Sequence, residues 1–161
     1  MAVHKLILDN DFDEEPYTLI GIHCALEDYR MAYLLNKQLD IQLERKRLDL
    51  DFKRNKTNYP IFEWHDEKLL TTWNLVSNIC KKEVSNLGNQ ASLFNDQDVV
   101  VSSFNLIPEY KRVNYFLKIE HEFNLTKEKY LTNLILEIPQ VVTAYSIDAS
   151  QLKSKNNLIF S

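Results

Sequence analysis

Only two glycines, Gly21 and Gly88, occur among the 161 residues, and they stand far apart in the sequence. Glycine visits positive φ without steric cost, and glycine-rich loops use that freedom to bring backbone amides against phosphate. With two isolated glycines neither GxGxxG nor GxxxxGK can be written, and GxSxG fails for the same reason. Dinucleotide loops, P-loops and the nucleophile elbow are therefore excluded as starting points.

The length suits one globular domain with a core able to fold alone, and residues 1–161 are read as a single α+β domain. A net charge of -4 and a pI near 5.6 argue against a non-specific nucleic-acid binder, which needs a net basic surface to displace counterions from phosphate. No signal peptide is legible at the start, and no apolar run approaches the roughly 18 residues of a membrane helix. The expected location is the cytoplasm, with no membrane contact. Cys24 and Cys80 are isolated thiols without CxxC spacing, in keeping with a reducing compartment.

Along the chain, His4 to Leu8 reads as a strand followed by an acidic turn, and Tyr17 to His23 as a second strand. Leu26, Tyr29 and Tyr33 follow helical spacing, which predicts a helix over 25–39. Residues 41–52 have strand character with a change of phase. Ile41 and Leu43 share one face, whereas Leu48, Leu50 and Phe52 share the other, so a bulge or a change of layer is expected near Arg45. Tyr59–Trp64 and Leu70–Val84 suggest a hairpin, although 70–84 also admits a helix. Residues 85–98 suit a loop, and 99–106 a strand.

Tyr115 to Phe123 alternates apolar residues with Lys118, Glu120 and Glu122, the pattern of a strand with one buried and one mostly wet face. Asn124 or Thr126 can cap a helix that Pro139 ends, and a strand follows over 141–147. Residues 151–161 read as an edge strand or a flexible tail. Residues 17–52 and 113–148 both run strand, helix, strand. The expected architecture is α+β, a mainly antiparallel β-sheet with two helices packed on one face. A duplicated split βαβ (ferredoxin-like) core with inserted strands is one way to arrange it.

No complete catalytic set emerges. Asp9 and Asp11 after an apolar run resemble the start of an aspartyl phosphatase, and with Asp13 they offer alternate calcium ligands. Asp13 itself breaks the phosphatase pattern, while Glu14 and Ile20 occupy the calcium loop's glycine and terminal acid positions. His4, His23, His65 and His121 lack metal-pair spacing. Alternation places His121 on an apolar face, where a hydrogen-bonded core histidine is the leading reading. A thiolate made by pairing Cys24 or Cys80 with a histidine has no support in the spacing. Arg45, Lys46, Arg47, Lys53, Arg54 and Lys56 concentrate positive charge upstream of Tyr59, Phe62 and Trp64, a candidate RNA-contacting patch. Glu44, Asp49 and Asp51 interrupt it, as on a solvated strand face.

Ile107, Pro108 and Glu109, three intervening residues, then Val113, Asn114 and Tyr115 resemble the signature of the IPExxxVDY family, small cytoplasmic Bacteroidota proteins without an assigned activity. Length and the Leu26–Arg30 region are also similar to that family. The family's acid is Asn114 here, and an amide cannot act as a general base at neutral pH, which puts a catalytic role at that position in doubt. Pro108 favours a turn, and Asn114 can accept a backbone hydrogen bond there. The competing reading makes Glu109, Arg112 and Tyr115 an exposed recognition patch. The sequence thus points to a non-enzymatic interaction or accessory protein without cofactor or metal, docking a protein partner or forming a homodimer. A small-molecule-sensing regulatory domain and an RNA- or ribosome-associated protein are the alternatives.

Overall fold

The computed structural model describes residues 15–85 and 99–160. The expected first strand, the acidic run up to Glu14 and nearly all of the expected loop 85–98 lie outside the described residues.

Among the described residues, ten strands and two α-helices follow one another in the order β1 Thr18–Cys24, α1 Asp28–Leu39, β2 Glu44–Arg45, β3 Leu50–Phe52, β4 Thr57–Tyr59, β5 Ile61–Asp66, β6 Thr71–Ser77, β7 Ile79–Ser85, β8 Val99–Asn105, β9 Tyr115–Ile119, α2 Leu125–Leu136 and β10 Val141–Ile147. Six strands form the main sheet in the order β10-β1-β9-β6-β5-β2, while β3–β4 and β7–β8 form separate two-stranded ribbons. Every pairing is antiparallel. The fold is α+β with a mainly antiparallel sheet.

Two split βαβ units are present, and one differs from expectation. β9 and β10 both run antiparallel to β1 between them, so β9-α2-β10 is a split unit over the expected residues. In the first unit the strand that returns parallel to β1 is β6, with β9 between them. The segment 41–52, expected to close that unit, instead divides. β2 pairs at the far edge of the main sheet, and β3 leaves to pair with β4. The phase change near Arg45 marks a change of layer. The segment 70–84 contains no helix: it forms β6 and β7, interrupted at the buried Asn78.

The sheet is covered on both faces. On one, Met31, Ala32 and Leu35 of α1 and Leu131 and Ile135 of α2 pack against Ile20, Ile22, Leu75, Leu117 and Ile119. Asn36 fastens the chain leaving α1, its side chain exchanging hydrogen bonds with both the backbone N–H and the C=O of Leu43. Asn124 caps α2 by accepting from the Lys127 N–H at 2.8 Å. Leu131 and Ile135 of α2 and Ile138 just beyond it are buried, whereas Tyr130 faces out.

The second face is where the sequence reading needs most correction. Leu106, Ile107, Val113, Leu152 and Leu158 cover Leu19, Val76, Phe116 and Ile147 there. Strand β9 is therefore buried on both sides, not wet on one. Lys118, in its middle, is 8% exposed; its Nζ donates to the Leu158 carbonyl at 2.8 Å and lies 4.7 Å and 5.1 Å from the ring centres of Tyr17 and Phe160. β9 ends at Ile119, which leaves His121 exposed beyond it rather than on an apolar face. Residues 151–160 form neither an edge strand nor a free tail. They run as short 3-10 turns that seat Leu152 and Leu158 on the sheet.

Candidate functional site

The segment 106–115 crosses the second face, and the structure assigns its residues to distinct tasks. Pro108–Tyr110 form a 3-10 turn with Pro108 at its start, where a missing N–H costs nothing, and with Ile107 extended before it. Val113 sits over Gly21 of β1. A Cβ on Gly21 would lie 2.9 Å from the Ile147 side chain and 3.2 Å from Val113, so this glycine is required for close approach rather than for a positive φ.

Asn78 organises the turn from beneath. Fully buried between β6 and β7, it donates from Nδ2 to the carbonyls of Tyr110 and Val113, both at 2.8 Å, and accepts the Ile107 N–H at 2.8 Å on Oδ1. Its own backbone N–H donates to Asn114, and its carbonyl accepts from Leu106. Sequence reading missed this residue. The signal was there in the polar Ser77-Asn78 pair that interrupts an otherwise apolar run.

Asn114 and Tyr115 tie the segment to the start of α1. The Asn114 Oδ1 accepts the Cys24 N–H at 2.9 Å, where the register of β1 against β10 shifts between His23 and Cys24. An aspartate would present the same acceptor. Tyr115 is buried and donates its hydroxyl to the Leu26 carbonyl. Burial, then the nearby acidic groups led by Asp28, pushes its hydroxyl far above the ordinary phenol range. Glu109 projects to the C-terminal segment, where its carboxylate accepts from both the backbone N–H and the hydroxyl of Ser154. Partial burial raises the acid's proton affinity, but those hydrogen bonds outweigh it and hold Glu109 below the usual carboxylate range.

The three residues of the candidate recognition patch are accordingly not on one surface. Tyr115 lies under the helices, whereas Glu109 and Arg112 line an open concavity of about 370 Å³ together with His23, Tyr110 and Tyr145. His23 Nε2 and the Tyr145 hydroxyl are 2.9 Å apart, and the rings of Tyr110 and Tyr145 lie 6.4 Å apart. Burial, with a smaller contribution from Tyr110, raises the proton affinity of Tyr145. Spacing along the chain offers no hint of this grouping, because its members come from β1, the motif turn and β10.

No protein-family model, curated protein or solved structure matches this chain.

The candidate basic patch divides as well. Arg45 lies over the Phe62 ring and pairs with Asp49 and Asp28, and Lys46 pairs with Glu63 at 3.2 Å. Arg47 follows β2 as an exposed residue, and Lys53, Arg54 and Lys56 lie in the exposed turn joining β3 to β4. Cys24 is buried and accepts the Leu26 N–H on its sulfur, while Cys80 is half-buried; among the described residues neither bonds a histidine. No group of three or more His, Cys, Asp or Glu among the described residues is arranged to hold a metal ion. No helix there is long and apolar enough to cross a membrane.

Proposed function

We propose that this chain is a non-enzymatic interaction protein that self-associates through the β10 edge of its main sheet. The contrast between the two sheet edges carries the reading. β2 is two residues long, charged, and followed by Lys46 and Arg47, the usual protection against edge-to-edge pairing. β10 is seven residues long, VVTAYSI, with no charge, and its outer edge has no partner strand among the described residues.

A second copy is the occupant that fits best. Two β10 strands related by a two-fold axis perpendicular to the sheet pair antiparallel, keep both helical layers on one side and bring no like charges together. Helix α2 packs beside β10, so its exposed Tyr130 and Leu136 can add a second layer of contact. The segment 106–115 supports this reading indirectly: its Glu109, Asn114 and Tyr115, with Asn78 beneath it, are engaged in holding the fold together. On the same reading the chain is an IPExxxVDY-family member working in the cytoplasm. The RNA alternative is weakened by the carboxylate partners of Arg45 and Lys46.

Light scattering across a concentration series tests the assembly. The native chain is expected to be a dimer, and V142K/S146K a folded monomer, because a seam centred on Ala144 sets residue 142 opposite residue 146 of the second copy. A native chain that stays monomeric at every concentration sinks the proposal.

A further inference from the structure

The concavity beside the motif turn has a composition that structural bonding alone does not explain. Lys111 and Arg112 are both exposed at its rim, and among the described residues neither forms an ion pair. Glu109, the carboxylate of the same wall, is already turned toward the two Ser154 donors. A chain of net charge -4 thus carries a locally positive hollow. Its floor is aromatic, with Tyr110 against Tyr145 and the His23 ring tilted over Tyr145 at 5.5 Å between centres.

The frame is also fixed in place. Asn78 holds the turn's backbone from inside, Val113 is seated on Gly21, and Glu109 is tied to the C-terminal segment. A rigid turn presenting a guanidinium fork and an ammonium suits a phosphate group, which Arg can bind with two parallel hydrogen bonds. The half-buried rings of Tyr110 and Tyr145, which line the hollow, suit a flat base without demanding a particular one. The volume falls at the small end of ordinary ligand sites.

We propose that this concavity binds a mononucleotide, its phosphate held by Arg112 and Lys111 and its base set against Tyr110 and Tyr145. In a chain so poor in glycine, side chains rather than a glycine-rich backbone loop take the task of holding phosphate. The site does not need a second copy to supply any of the groups invoked, although Tyr145 belongs to the β10 edge strand.

Calorimetric titration of the full chain with AMP, GMP, CMP and UMP, and with inorganic phosphate and adenosine alone, tests the assignment. Saturable one-site binding of at least one nucleotide is expected, tighter than phosphate or adenosine. R112A and K111A should each weaken it by about tenfold or more, as loss of a charge-assisted hydrogen bond implies, while K129A on α2 leaves it unchanged. Circular dichroism verifies that the variants are folded. The proposal is overturned by absence of saturable binding of all four nucleotides, by phosphate alone binding as tightly, or by full affinity in folded R112A.

Discussion

Asn78 shows how much of this fold hangs on one side chain. It donates to two carbonyls and accepts one N–H of the crossing segment, and the bonds to the Val113 carbonyl and the Ile107 N–H are buried beneath the turn. N78A removes the partner of the Ile107 N–H and a donor contact to the Val113 carbonyl, while the Tyr110 carbonyl keeps the Val113 N–H, and each group so deprived costs about 1–3 kcal/mol. Urea denaturation of N78A should therefore show a loss of about 2 kcal/mol or more, against a fraction of that for an exposed asparagine such as Asn133. A loss below about 1 kcal/mol would mean the segment finds other partners and is not organised from this position. Asn114 belongs at the same scale. Its acceptor oxygen meets the Cys24 N–H, a task that needs no charge, which explains how an amide can stand where the resembling motif has an acid.

At the scale of elements, α2 offers the plainest local test. Its N-cap side chain bonds the Lys127 N–H, so N124A is expected to lower stability by about 1 kcal/mol, read as a shift in the denaturation midpoint at unchanged slope. This cap, both helices, the β5–β6 hairpin, β8 and β10 were legible because each rests on local signals: periodicity, a capping residue, a proline or a turn. β9 misled for the opposite reason. Lys118 between Phe116 and Glu120 carries the local signature of a wet face, and what dries it is Leu158 with Tyr17 and Phe160, contacts made from both ends of the described chain. The close of the first split unit was hidden similarly. Residues 41–52 have strand propensity, but whether such a strand joins β9 or an edge is decided by competition with β6, whose Leu75 and Val76 pair with Leu117 and Phe116. Of the candidate site, Glu109 and Arg112 were legible, while His23, Tyr110 and Tyr145 converge only through the sheet.

For the molecule as a whole, the C-terminal segment acts as the second layer on the side of the sheet that the helices leave open. Glu109 links it to the crossing segment, and that link depends on ionisation. The Glu109 carboxyl sits below its ordinary value of 4.5, so its contribution is complete at neutral pH and disappears as pH falls through the lowered value. The thermal midpoints of the native chain and E109Q should consequently differ near neutrality and converge in acid below that range; a gap independent of pH would place the effect elsewhere. The larger contribution is apolar. Leu152 and Leu158 are 5% and 1% exposed, and burying a leucine is worth about 1.5–3 kcal/mol, so deleting residues 152–161 removes about 3–6 kcal/mol and uncovers Phe116 and Leu19. Domains of this kind have only about 5–15 kcal/mol in total. The truncated chain should melt far below the intact one and bind a hydrophobic dye before it melts. A frayed tail or a dispensable edge strand predicts an unchanged midpoint, so this one deletion decides whether the sheet is closed by one layer or by two.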